Sequence, residues 1–345
     1  MFFSSKGKVY IRKCYEVPEA GKSAKGNNIV NLLPLEEGEK ITAFLSIEAD
    51  RMTEARRLAA LIKKEKLDRK ESDEEAEESA AEKFGDAIRE NGILFFVTKR
   101  AVVKRVGLYE FASVVTTKGK SMEQGIRALK LDEDDELLFA ERTDGTQDLF
   151  VAASNGLATR FAEDKVRIMS RAAGGVRAMR LAEGESVCGA IAIAHEGEER
   201  LLATITENGV GKFSSFDEFT AHNRGGKGMK CQKIGGKAGN RLVGVTAVAE
   251  GDEILIIASD GKLIRVAVDT GRVISRGAAG VRIMKPKEGS EVIAFQRVTT
   301  DEDLEAEEEA VTEPTQTEEA PALSGEAPAE GEADPAGEED PEDGE

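Results

Sequence analysis

Two Gly-Lys-Ser triplets, Gly21-Lys22-Ser23 and Gly119-Lys120-Ser121, carry the residue types with which glycine-rich loops cradle phosphates. Such a loop needs a further glycine upstream, and Glu16 and Val114 stand there instead. A nucleotide loop is therefore excluded. Cys14, Cys188 and Cys231 lie far apart with no Cys-x-x-Cys pair, so neither a zinc ribbon nor a disulfide framework is available. His195 and His222 are the only histidines, and neither has a His or Cys at ligand spacing, which argues against a metal centre or a triad. Both read as loop residues. Carboxylates are abundant but sit mainly in turns and in the C-terminal stretch, where solvation explains them better than acid–base catalysis. No catalytic residue, metal or cofactor is expected in this chain.

What recurs is positive charge. Residues 301–345 hold 20 of the 66 Asp and Glu, and no Lys or Arg follows Arg297, so residues 1–298 balance 48 basic against 46 acidic side chains. The net charge of −18 belongs to a tail, and the remainder is free to meet nucleic acid. The basic residues fall at similar places in five successive segments. They are Lys6, Lys8, Arg12 and Lys25 in the first, and Lys104, Arg105 and Arg127 in the second. Arg160, Arg171 and Arg177 follow in the third, then Lys212, Arg224, Lys227 and Lys230 in the fourth, and Lys262, Arg265, Arg276 and Arg282 in the fifth. On equivalent faces of successive units they would form a continuous basic band that reads phosphates and not bases, with double-stranded DNA as the expected partner.

The elements that must carry this band are repeats. Turns at Ser5-Lys6-Gly7, Lys99-Arg100-Ala101, Asn155-Gly156, Asn208-Gly209 and Asp260-Gly261 each join two β-rich runs; four keep a glycine and Arg100 stands at the remaining turn. A second signature recurs as Gly26-Asn27-Asn28-Ile29, Gly125-Ile126-Arg127, Gly175-Val176-Arg177, Gly228-Met229-Lys230 and Gly280-Val281-Arg282, with steps of 50, 53 and 52 residues from Gly125 onward. About 52 residues with four strands is the size of a propeller blade, and one such sheet cannot bury both faces alone. The fold expected is all-β, with about five four-stranded blades: an incomplete first blade over 1–47 and four more over 91–298. Residues 48–90, with Leu58, Leu61 and Ile62 at helical spacing, read as a charged helical insertion, solvated by preference. Residues 299–345 read as a disordered acidic tail that competes with DNA for the basic surface. Apolar residues of the first unit, among them Phe2, Phe3 and Val9, are expected to meet water.

No apolar run approaches membrane-spanning length, and Met1-Phe2-Phe3 is followed at once by Ser, Lys and Gly; a cytoplasmic location is expected. Trp is absent, so stacking platforms for single-stranded nucleic acid are poorly supplied.

Val9-Tyr10, Tyr15-Glu16-Val17-Pro18-Glu19-Ala20 and Val30-Asn31-Leu32-Leu33-Pro34-Leu35, with the later Gly-Val-Arg and Ser-Asp-Gly-Lys signatures, resemble the C-terminal domain of DNA gyrase A, part of a type IIA topoisomerase. The resemblance covers about 1–47 and 91–298. It implies a β-pinwheel with strands swapped between blades, whose basic rim wraps DNA within a heterotetramer formed by the rest of gyrase A and by gyrase B. It also implies ATP and magnesium, but only for the holoenzyme, which supercoils DNA. Members carry six blades and a Gln-Arg-Arg-Gly-Gly-Lys-Gly box in the first; here five units are visible, the first beginning mid-strand. Asn223-Arg224-Gly225-Gly226-Lys227-Gly228 repeats part of that box in the fourth unit, as a degenerate copy or as a plain Gly-rich loop. Tyr10, Tyr15 and Tyr109 all fall within blade repeats, so this chain alone should cleave nothing. The equivalent domain of topoisomerase IV is the neighbouring reading, and a propeller serving as a protein-interaction platform is the alternative from another class.

Overall fold

Nearly every residue of the segments 93–98, 148–153 and 201–206 is buried, where a sheet with one wet face would alternate. Both faces of these strands must therefore be covered. The computed structural model describes residues 1–19, 26–69, 83–112, 125–269 and 271–298, with Lys22, Lys25 and the acidic tail outside them. Residues Met1–Thr300 form one compact unit.

Five antiparallel sheets follow one another along the chain. The first has the order β3 (Ile41–Phe44), β1 (Phe2–Ser4), β2 (Lys8–Tyr10), β6 (Ile126–Arg127). The second is β10 (Val176–Arg177), β5 (Val102–Gly107), β4 (Ile93–Thr98), β7 (Leu137–Thr143). The third is β11 (Val187–Ile193), β8 (Asp148–Ala153), β9 (Leu157–Ala162), β14 (Met229–Lys230). The fourth is β15 (Leu242–Val248), β12 (Leu201–Thr206), β13 (Val210–Ser215), β18 (Val281–Arg282). The fifth has three strands, β17 (Leu263–Ala267), β16 (Glu253–Ala258) and β19 (Val292–Val298), where four were expected. The reason is the lacing: in each of the first four sheets the short outer strand comes from the following unit, and among the described residues nothing follows β19 to supply one.

Alternation along the central strands shows how the sheets stack. Leu94 and Phe96 of β4 join one apolar core while Phe95 and Val97 join the next. In β8, Leu149 and Val151 face back into that second core, and Phe150 and Ala152 face forward into a third. In β12, Leu202 packs into the third core and Ala203 and Ile205 into the fourth. Each of the three middle sheets is thus shared between two cores, so its central strand is mostly apolar on both faces. β16 ends the series: Ile254, Ile256 and Ala258 are buried, and the residues between them are only half-buried.

The left-handed turn residue that pairs β4 to β5 is Ala101, at φ 61°, in place of the glycines Gly7, Gly156, Gly209 and Gly261. The departure from the glycine pattern therefore lies at Ala101 and not at Arg100, and a Cβ in that conformation costs on the order of 1 kcal/mol.

The insertion is not simply solvated. Its first helix, α1 (Ala49–Arg69), sends Met52 and Ala55 into the core between the first two sheets, beside Phe3, Val9 and Phe96. Leu58 packs with Ile88 of a second helix, α2 (83–91), and with Ile93 and Tyr109. Met52, Ala55 and Leu58 form the buried stripe, whereas Leu61 is 54% exposed. The face of the first sheet turned to the second is closed: Phe3 is fully buried against the Phe96 ring (5.3 Å) and Val9 is 1% exposed, contrary to the expectation for these two residues, whereas Phe2 is half-buried and stacks on Phe44, which is 72% exposed.

Candidate nucleic-acid interface

Each outer strand is two residues long, and in all four the first side chain is half-buried while the second is exposed. The exposed residues are Arg127, Arg177, Lys230 and Arg282. The preceding glycine is dictated by space and by backbone. Gly175 lies at φ 93°, and a Cβ there would stand 2.8 Å from the Val103 carbonyl; Gly280 lies at φ 87°, where the corresponding distance to the Gly211 carbonyl is 2.3 Å. Only glycine lets the donated strand lie so close, and the cation two residues later is thereby placed on the outer edge.

A second cation meets it across each joint. Arg171, Arg224 and Arg276 all stand four residues before the glycine of their own unit. Their guanidinium groups donate to the carbonyl oxygens of Arg127 (3.4 Å), Arg177 (3.5 Å) and Lys230 (3.2 Å) on the outer strand of the unit before. Three successive joints therefore present a pair of cations each, and Arg282 continues the series. Arg224 also donates to the Lys165 carbonyl (3.0 Å), and Arg171 lies 3.7 Å from Glu110 and 5.8 Å from the Phe111 ring centre. Lys227 is exposed in the same Gly-rich loop as Arg224.

Four of the cations expected on this surface are elsewhere. Lys104, Arg105, Arg160 and Lys212 lie on β5, β9 and β13 with at most 8% of their surface exposed, and each head donates to backbone carbonyls of the next unit. Arg105 donates to the carbonyls of Glu163 (2.6 Å) and Val166 (2.9 Å) and pairs with the Glu163 carboxylate at 3.1 Å. Arg160, at the same place one unit later, donates to Phe216 and Phe219 carbonyls (3.1 and 3.3 Å), to the His195 carbonyl (2.7 Å) and to Asp148 (2.6 Å). Lys104 donates to the carbonyls of Arg171 and Ala173, and Lys212 to those of Ser275 and Arg276. A buried charge is tolerated only when paired or fully hydrogen-bonded, and these residues recur because the joints between units recur.

The remaining positions divide. Lys6 (3.0 Å) and Lys8 both pair with Glu36, whose carboxyl is pulled down to about 2 by hydrogen bonds from Lys8 and Lys6. Arg265 pairs with Glu253 across β17 and β16. Arg12 donates to the Leu32 carbonyl (3.2 Å) and Lys262 to that of Lys285 (3.2 Å). Lys25 lies outside the described residues. The cations left on the outer edge as candidates are thus Arg127, Arg171, Arg177, Arg224, Lys227, Lys230, Arg276 and Arg282.

The sequence contained no sign that the two histidines share a cleft. His195 and His222 line an opening of about 480 Å³ with Asp164, Lys165 and Asn223. His195 Nδ1 lies 2.6 Å from Asp148, which raises the imidazole pKa, and Asp148 is the same fully buried carboxylate that holds Arg160.

A family model described as the DNA gyrase C-terminal domain, beta-propeller, matches residues 1–48, 92–144, 147–194, 200–249 and 252–299. The DNA gyrase A protein of Pseudomonas aeruginosa is 35% identical over 347 residues, covering 94% of this chain and 36% of that protein. Its counterpart in Staphylococcus epidermidis is 30% identical, covering 88% and 29%. The chain spans about a third of the length of the curated relatives it matches. Among solved structures, the C-terminal domain of DNA topoisomerase IV superposes with a TM-score of 0.70 at 21% identity, covering 90% of this chain and 83% of that one. The DNA gyrase A C-terminal domain gives 0.61 at 22%, covering 86% and 81%. At that identity the superpositions speak for the fold.

Proposed function

The chain belongs to the DNA gyrase C-terminal domain family of beta-propellers, and from that premise we propose that it binds double-stranded DNA along its outer edge and bends or wraps it on behalf of gyrase A. The observation that carries this reading is the series of exposed outer-strand cations Arg127, Arg177, Lys230 and Arg282, one per unit, three of them doubled by an arginine from the next loop. A duplex carries a charge on every phosphate, and cations repeated at one joint after another neutralise them without reading a base. Binding of this kind is indifferent to sequence and steeply dependent on salt. Because successive cations belong to successive sheets, a duplex that follows them is held in the curve the stack of sheets imposes.

The chain is noncatalytic by itself in this reading. The rest of gyrase A and gyrase B complete the heterotetramer in the cytoplasm, and the ATP and magnesium of negative supercoiling act there. No step of this chain's action is routed through them. The family model and the sequence relatives favour gyrase over topoisomerase IV, whose equivalent domain shares the fold.

Filter binding with duplexes of unrelated sequence, across a salt series, tests the reading. Similar affinities that fall together with salt are expected. A strong preference for one sequence, or negligible duplex affinity as for a protein-interaction platform, would overturn it. A topoisomer assay with a nicking-closing enzyme then separates bending from wrapping, since only a wrapped duplex traps writhe.

A further inference from the structure

Lys104 and Lys212 stand three residues after the left-handed turn residues Ala101 and Gly209, and both are at most 1% exposed. Lys104 Nζ donates to the carbonyls of Arg171 and Ala173, both at 2.8 Å. Lys212 Nζ donates to those of Ser275 (2.7 Å) and Arg276 (2.6 Å). In each case one acceptor is the main-chain carbonyl of the arginine that bridges a joint on the outer edge. The third bridging arginine lacks this support: Thr159 stands three residues after Gly156, and around Arg224 the residues 221–224 are all exposed. Its bridging contact, 3.5 Å, is the longest of the three.

Burying an ammonium is costly, and an apolar side chain of similar length would fill the same space more cheaply. What the lysine alone supplies is a set of donors aimed at the loop backbone. We propose that Lys104 and Lys212 are positioning residues for phosphate binding: each draws the carbonyl of a bridging arginine inward and so fixes that arginine's guanidinium on the outer edge, without touching DNA. The proposal rests on the duplex-binding reading above. Glu218 works beside Lys212, its carboxylate accepting from the Arg276 amide at 2.9 Å, so the loop is held from both sides.

Titration gives this arrangement a signature. Desolvation pulls Lys212 from 10.5 down to about 8; Cys231 and Glu218 oppose the shift, Arg276 adds to it, and Asp269 and Arg272 line a cavity together with it. Because the folded value lies below the unfolded one, the unfolded chain binds the extra proton between those values, and global stability rises with pH there. The charge-assisted hold on the loop weakens over the same range. A purely structural lysine would not move stability and DNA affinity in opposite directions.

The test uses the full chain. In K212M, amide exchange at Arg276 and Ala278 should quicken, and duplex affinity should fall roughly threefold to tenfold with the salt slope shallower by about one. R276A should lose as much, and K212M/R276A no more than R276A alone. Unchanged exchange in K212M, or additive losses in the double variant, would overturn the proposal. Should K212M fold poorly, the wild-type advantage over R276A, followed from pH 7 to 9, replaces it: the advantage must shrink above about 8, and a constant ratio would refute the role. R276A binding duplex like wild type would instead sink the duplex-binding reading, and the exchange data would still decide whether Lys212 holds the loop.

Discussion

Arg160 and Arg177 belong to the same unit, and their side chains meet opposite fates. Arg160 leaves β9 toward the interior, where Asp148, the His195 carbonyl of its own unit and the Phe216 and Phe219 carbonyls of the next absorb every part of its guanidinium. Arg177 is carried by an outer strand onto the surface of the sheet before its own, and there it stands exposed beside Arg224. One holds units together and the other is available to a ligand. Recurrence of a charge in a repeat therefore has two sources, since every joint needs a cation inside to satisfy the carbonyls it buries, and a phosphate track needs one outside.

The largest effect expected from this contrast is on stability. R160M leaves Asp148 with His195 alone and strands several buried carbonyls, so a loss of about 3–5 kcal/mol is expected in denaturant unfolding, against at most about 0.5 kcal/mol for R177M. Equal losses would erase the distinction. A similar contrast divides helix α1: L58A should cost about 2–5 kcal/mol and L61A less than about 0.5 kcal/mol, because only Leu58 is buried against the sheets. If both are harmless, the insertion is the solvated arm that its composition suggested.

A smaller effect is expected from pH. Asp148 raises the pKa of His195 above its unfolded value, so the stabilisation from this pair is present below the unfolded pKa and is lost as pH rises through the folded one. Arg160 and Glu196 also act on His195, from opposite sides of the balance. Unfolding followed across the range just above the ordinary imidazole value should show the loss in wild type and not in H195Q. The smallest effect concerns the tail: truncation after Val298 should tighten duplex binding at low salt only, since 20 tethered acids compete with DNA until ions screen them. No difference at low ionic strength would remove that competition.

The repeat and its β-rich character were legible in the sequence because the Asn-Gly and Asp-Gly turns and the Gly-Val-Arg signature each answer a local backbone demand. Arg127, Arg177, Lys230 and Arg282 were legible for the same reason, each standing two residues after a left-handed glycine where a Cβ would meet the Tyr10 ring at Gly125 and a neighbouring strand's carbonyl at Gly175, Gly228 and Gly280. Which other cations face inward was not. Lys104 and Arg105 are neighbours on a strand and would be expected to point to opposite faces, yet both are buried, because one face meets a donated loop and the other a short helical turn. That outcome depends on what packs against β5 from some 60 residues later. Lys6 and Lys8 illustrate the opposite error, since they look like free phosphate ligands until the turn bearing Glu36 folds back on them. The buried stripe of α1 was read partly wrong, with Leu61 chosen and Met52 and Ala55 overlooked, because no strongly amphipathic pattern marks the helix.

The outer cations are expected to set the electrostatic part of DNA binding by themselves. The salt dependence of duplex affinity, measured for wild type and for the variant R177A/K230A/R282A with its fold checked by unfolding, addresses this directly. Three phosphate contacts fewer should make the log–log slope shallower by roughly 2.7, for duplexes of any sequence, with stability near wild type. A slope that stays the same while the variant remains folded would contradict the account and place the phosphate contacts elsewhere on the chain.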